Sequence, residues 1–109
     1  MVERPDLWTL VEIEEPNTDE IFYKVLATFH GGYLYGDAWR LNSGIKSVDL
    51  DDKFWIIHGF SGSRYDCNFE QYGMNNLTYN IAVQLEERGA RILNKTEAHA
   101  ILSKMLWAA

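Results

Sequence analysis

An α+β fold in one domain, residues 1–109, is predicted from three observations. Up to about residue 70, apolar and polar residues alternate in short runs separated by Gly, Pro, Asn and Asp, the pattern of strands and tight turns. After residue 75 the apolar spacing changes to three or four, the helical period. A chain of 109 residues, 47% hydrophobic and 24% charged, suits a single globular unit with its own core. The expected architecture is an antiparallel sheet over about residues 7–70, with two C-terminal helices packed on one face.

The first strand is read at 7–14, where Leu7, Thr9, Val11 and Ile13 share one face and Trp8, Leu10, Glu12 and Glu14 the other. Glu15-Pro16-Asn17-Thr18-Asp19 is a turn. A second strand at 20–28 places Ile21, Tyr23, Val25 and Ala27 together, and the two join as an antiparallel hairpin. Tyr33-Leu34-Tyr35 and Ala38-Trp39-Arg40-Leu41 are strand-like pieces between glycine turns. Ile45–Leu50 is a further strand. Lys53–His58 is apolar on both faces, which places it near the sheet centre. Arg64–Phe69 returns as another strand.

The first helix carries Leu77, Ile81, Ala82 and Leu85 on one stripe, with Asn75 or Asn76 as its N-cap and Gly89 after its end. Asn94-Lys95-Thr96-Glu97 has the form of a capping box. It opens a second helix whose buried stripe is Ala98, Ile101, Leu102 and Met105.

Charge narrows the function classes. The net charge of −6 resides in residues 1–20, which hold seven acids against Arg4, while the rest balances. Phosphate backbones attract excess Lys and Arg, so nucleic acid is not expected as the main partner. No apolar run reaches the length of a membrane span, and the first residues lack the basic and apolar regions of a signal peptide. With Cys67 as the single cysteine, a cytoplasmic location is expected.

Residues 29–73 hold seven of the eight glycines and ten of the fifteen aromatics, so recognition is expected there. Tyr33, Tyr35, Trp39, Arg40, Ser61 and Arg64 are the candidate binding residues, because aromatics and arginine anchor interfaces and can stack a base. Gly59-Phe60-Ser61-Gly62-Ser63 is not a nucleophile elbow, which needs glycine where Ser63 stands. His58, Ser61, Asp66 and Cys67 are neighbours in sequence, but alternation along strands separates such neighbours, and no catalytic residue is assigned. His30, His58, His99 and Cys67 lack paired ligand spacing, so no metal is expected, and no cofactor either.

Several stretches together resemble small uncharacterised proteins of tailed bacteriophages and prophages. They are Tyr23–Leu26, Gly31–Leu34, Gly36–Ile45, Ser61–Cys67 and Tyr72-Gly73, and they cover about half the chain. The resemblance implies an origin and no activity. The resulting expectation is a non-enzymatic accessory protein that binds a host protein, inhibiting a defence system or redirecting a host enzyme. The alternative is a small-molecule or nucleotide-signal binding protein with an aromatic and arginine pocket. A homo-oligomer is compatible with both, through paired edge strands.

Overall fold

Among the described residues, eight strands and two α-helices follow the chain in the order expected for an α+β domain. The computed structural model describes residues 2–31 and 36–108. The strands are β1 (Val2–Glu3), β2 (Leu7–Glu14), β3 (Ile21–Phe29), β4 (Ala38–Leu41), β5 (Ile45–Asp51), β6 (Phe54–Gly59), β7 (Arg64–Asn68) and β8 (Arg91–Ile92). Helix α1 (Asn76–Glu87) precedes β8, and α2 (Lys95–Ala108) follows it.

The strands divide between two sheets, where alternation alone suggested one. The first has the order β4-β3-β2-β8 and the second β1-β7-β6-β5. Every pairing is antiparallel except β1 with β7. The chain passes between sheets at Asn42-Ser43-Gly44. There the Asn42 side-chain oxygen accepts from Val25 N at 2.8 Å and from Gly44 N at 3.3 Å, while Gly44 adopts φ +119°. Asn42 thus closes the end of one ladder, and a glycine conformation that side chains resist redirects the chain into the other.

The centre of the first sheet, β2 and β3, is buried on both faces. Trp8 and Leu10 of β2, with Val25 and Ala27 of β3, join a core with Val48, Trp55, Ile57, Tyr65 and Cys67 of the second sheet and Ala98 and Leu102 of α2. Val11 and Leu26 point the other way and pack on Ala82 of α1. The two helices therefore cover opposite faces of the first sheet, not one face as expected. The physical reason lies in β2, where Trp8 and Leu10 put apolar bulk on one face and Val11 on the other, so that each side demands a layer.

Both helix starts follow their sequence signals. Asn75 caps α1, accepting from Thr78 N at 3.0 Å, while the Thr78 hydroxyl accepts from Asn75 N at 3.0 Å. That hydroxyl also meets Thr28 Oγ1 at 2.9 Å in a buried contact that pins α1 to β3. At α2, Asn94 Oδ1 accepts from Glu97 N at 2.8 Å, and Glu97 Oε1 accepts from Asn94 N at 3.1 Å.

Aromatic residues from distant segments meet around His99. Trp8, Trp55, Phe69 and Tyr72 surround its ring with centroids 5.5–6.4 Å away. Trp55 Nε1 donates to His99 Nδ1 at 2.9 Å, which fixes Nδ1 as the unprotonated nitrogen, and the buried Nε2 has no hydrogen-bond partner. Burial lowers the His99 pKa, Lys95 adds to the effect and Glu70 opposes it. The Tyr72 hydroxyl accepts from Leu10 N at 3.0 Å and donates to Leu93 O at 2.7 Å. Burial pushes its pKa up to about 12, so it remains a donor.

Candidate functional site

The residues singled out from sequence are spread over three places. Tyr33 and Tyr35 lie outside the described residues. Trp39 and Arg40 leave β4 on opposite faces. Trp39 pairs with Thr28, whose side chain reaches α1, and Arg40 pairs with Ala27, which faces the inter-sheet core. The two therefore do not share a pocket.

Trp39 is 44% exposed and lies over a shallow groove of about 120 Å³ with Ile81, Gln84, Leu85 and Arg88. It belongs to an edge strand. Asn42 N donates to Val25 O at 3.1 Å, so the antiparallel ladder turns the backbone groups of Arg40 and Ala38 towards β3 as well. Those of Trp39 and Leu41 point away, and among the described residues no strand pairs with β4 on that side. Arg40 is engaged differently. Its Nη1 donates to Glu3 Oε1 at 2.7 Å, linking β4 of the first sheet to β1 of the second. Burial pushes the Tyr65 hydroxyl pKa up, with Arg40 beside it acting in the opposite direction.

Ser61 and Arg64 are on the second sheet. Ser61 N donates to Ser43 Oγ at 2.9 Å, and hydroxyl contacts run from Ser43 to Ser61 at 3.1 Å and from Ser61 to Ser63 at 3.4 Å. Two stretches eighteen residues apart are thereby joined at one end of the sheet. Gly59 makes this possible, because a Cβ there would lie 2.5 Å from Ser63 Oγ and 3.2 Å from Ser43 Oγ. Arg64 grips Asp66 with two bonds, Nε to Oδ1 at 2.8 Å and Nη2 to Oδ2 at 3.3 Å. Arg4 approaches the same carboxylate at 3.7 Å. Asp66 is nearly buried, so this fork holds a carboxylate in place and is not free for a ligand.

The outer face of the second sheet also contains a pair that sequence reasoning missed. His58 Nε2 lies 3.1 Å from Asp49 Oδ2. A carboxylate only accepts, so Nε2 carries the proton and Nδ1 is directed away from the pair. Beside it is an open pocket of about 310 Å³ lined by Lys46, Ser47, Asp49, His58, Gly59, Gly62 and Ser63. The signal was present in the two-residue turn Asp52-Lys53, which pairs Asp51 with Phe54. Counting back from it sets Ser47 opposite His58 and Asp49 diagonal to it.

An aspartate holding an imidazole is half of a nucleophilic site. The other half is a hydroxyl or thiol in hydrogen-bond reach of the ring, and no such bond occurs among the described residues. Asp66 is held by Arg64. Cys67 faces the core on the opposite side of the sheet, where burial drives its thiol pKa well up. Among the described residues no three His, Cys, Asp or Glu side chains are grouped to hold a metal ion. No described helix is long and apolar enough to cross a membrane. Compared with known proteins, the chain matches no family model, no curated protein and no solved structure.

Proposed function

We propose that this protein is a non-catalytic binding protein that docks a partner protein along the β4 edge. The observation that carries this reading is the exposed Trp39 on a strand edge with which no described strand pairs, above the apolar flank of Ile81 and Leu85. An extended segment added to such an edge gains main-chain hydrogen bonds, and side-chain pockets beside the strand supply selectivity. A tryptophan next to an arginine is a frequent anchor of such contacts, and Arg88 borders the groove. The phage-type resemblance makes the partner a host protein in the cytoplasm, a defence component or an enzyme to be redirected. A nucleotide signal held jointly by Trp39 and Arg40 fits less well, because the two side chains diverge from β4.

The test is a capture from bacterial lysate with the wild-type chain and with Trp39→Ala, followed by reconstitution. One host protein retained by the wild type, lost with Trp39→Ala and binding the pure chain at micromolar or lower concentration supports the reading. A folded wild-type chain that forms no binary complex overturns it.

A further inference from the structure

We propose that a second copy of this chain docks along the free edge of β5, antiparallel to it and about a two-fold axis at Val48, so that the second sheets of the two copies join into one. This surface is separate from the β4 edge, which belongs to the first sheet.

The backbone of β5 is prepared for such a neighbour. The strand ends the order β1-β7-β6-β5, and its seven residues make it the longest strand at the end of either sheet. Asp51 pairs with Phe54 across the two-residue turn Asp52-Lys53, which makes theirs a hydrogen-bonded pair. Alternation then turns the backbone groups of Asp49 and Asp51 towards β6 and those of Val48 and Leu50 away from it. No described strand pairs with β5 on that side.

An open edge accepts any extended segment; the order of the side chains singles out a second copy. Val48 is the midpoint of Ile45–Asp51, so two strands centred there overlap in full. Centring on Asp49 would instead set that carboxylate directly against the partner's Asp49, which is unfavourable. About Val48, Asp49 stands opposite the partner's Ser47, and Leu50 opposite the partner's Lys46. One oxygen of Asp49 is held by His58, and the spare lone pairs of the carboxylate can accept from the partner's serine hydroxyl. Lys46 enters between the partner's Asp49 and Asp51. The basic start of β5 thus meets an acidic end, and symmetry makes each contact twice.

The apolar groups match in the same register. Leu50 shares the inner face with Val48 and pairs with Trp55, yet it is 49% exposed. At the other end of the strand is a groove of about 260 Å³ between β5 and the last turn of α2, lined by Ile45, Lys46, Ser47, Met105 and Ala108. Set against Lys46, the partner's Leu50 arrives at this groove, and the partner's groove receives Leu50 in return. An exposed leucine and an apolar recess on one strand meet when the strand is turned end for end.

The experiment is sedimentation velocity of the full chain from micromolar to millimolar concentration, with amide hydrogen exchange read at both extremes. A mass that doubles with concentration is expected, and with it slower exchange at the Val48 and Leu50 amides. Leu50→Asp should weaken association more than about tenfold, since a leucine is lost from each groove. Lys46→Glu and Asp51→Lys should each weaken it several-fold. Together in one chain they should restore it, because opposite charges face each other again. Trp39→Ala should leave it unchanged. The substituted residues are exposed, so the variants are expected to fold, and the wild-type exchange pattern depends on none of them. A chain monomeric at every concentration overturns the proposal. So does a dimer that Leu50→Asp leaves intact, a double variant no better than its parents, or fast exchange at Val48 and Leu50 in the dimer. Loss of the dimer with Trp39→Ala would place the contact at the β4 edge and equally overturn it.

Discussion

The two sheets are built from similar strands yet present opposite outer faces. On the first sheet, Thr9, Val11, Leu26 and Thr28 are buried, and the Thr28 hydroxyl is tied to Thr78 of α1. On the second, the outer face carries His58 with Asp49 and Arg64 with Asp66, and neither described helix packs its buried side chains there. A covered face has been committed to stability. An uncovered one has groups whose arrangement is not required by packing, and it is there that the pocket opens. The contrast teaches that open surface in this small domain lies along the β4 edge of the first sheet and over the outer face of the second.

Substitutions can break that contrast, beginning with the layer both sheets share. Trp8 is fully buried, stacks edge-on against Tyr72 at 4.8 Å and donates to Asn68 O at 2.7 Å. Trp8→Ala should cost about 3–5 kcal/mol of unfolding free energy in urea, as aromatic truncations in cores do. A loss under about 1 kcal/mol would mean that the core between the sheets is not the main source of stability. Tyr72→Phe keeps the ring and strips the hydroxyl from Leu10 N and Leu93 O. Two backbone groups lose their partner, and about 1–3 kcal/mol should go with them.

The cover itself is tested at its cap. Asn75→Ala should lower stability by about 1 kcal/mol and speed hydrogen exchange in α1 before exchange in the second sheet. The acid limb of the stability curve probes α2. The folded chain holds the His99 pKa below its ordinary value of about 6.5, so the unfolded chain binds that proton first. Stability from this group is therefore complete above about pH 6.5, declines as pH falls below it, and levels off beneath the folded pKa. Thermal melts from pH 7 to 5 should show the decline. His99→Gln, which keeps an acceptor for Trp55 and does not titrate, should flatten it. The smallest effect is expected on the uncovered face. Asp49→Asn should change stability by less than about 1 kcal/mol, because the pair is solvent-exposed. A larger loss would show that the outer face of the second sheet is structural after all.

Much of the local structure was legible in the sequence. Alternation gave the β2–β3 hairpin, and apolar runs on both faces placed β6 between two neighbours. Helical spacing gave the Ala98, Ile101, Leu102 and Met105 stripe, and both caps formed from the residues that signalled them. What alternation does not encode is which strand pairs with which beyond a hairpin. The division into two sheets depends on one turn at Asn42–Gly44, and the parallel β1–β7 pair joins segments 62 residues apart. The candidate site was legible in part. Trp39 is exposed on an edge, and Ser61 borders the pocket through Ser63. Arg64 and Asp66 stand two apart on one strand face, so their pairing was open to sequence reading. The Arg40–Glu3 contact, across 37 residues, was not.

The short strand β8 sets a timing problem for synthesis. It completes the first sheet by pairing with β2, and Arg91 reaches back across 79 residues to Glu12. At roughly 5–20 residues per second, a ribosome delivers that partner about 4–16 s after β2 has emerged. Through that interval β2 has an open edge, and its Val11 face awaits α1. Glu12 and Glu14 stand on the waiting strand, and Glu15, Asp19 and Glu20 follow in the turn after it. Charges in such positions discourage edge-to-edge pairing between nascent chains. The acidic first twenty residues thus read as protection for a sheet that must wait for its last strand.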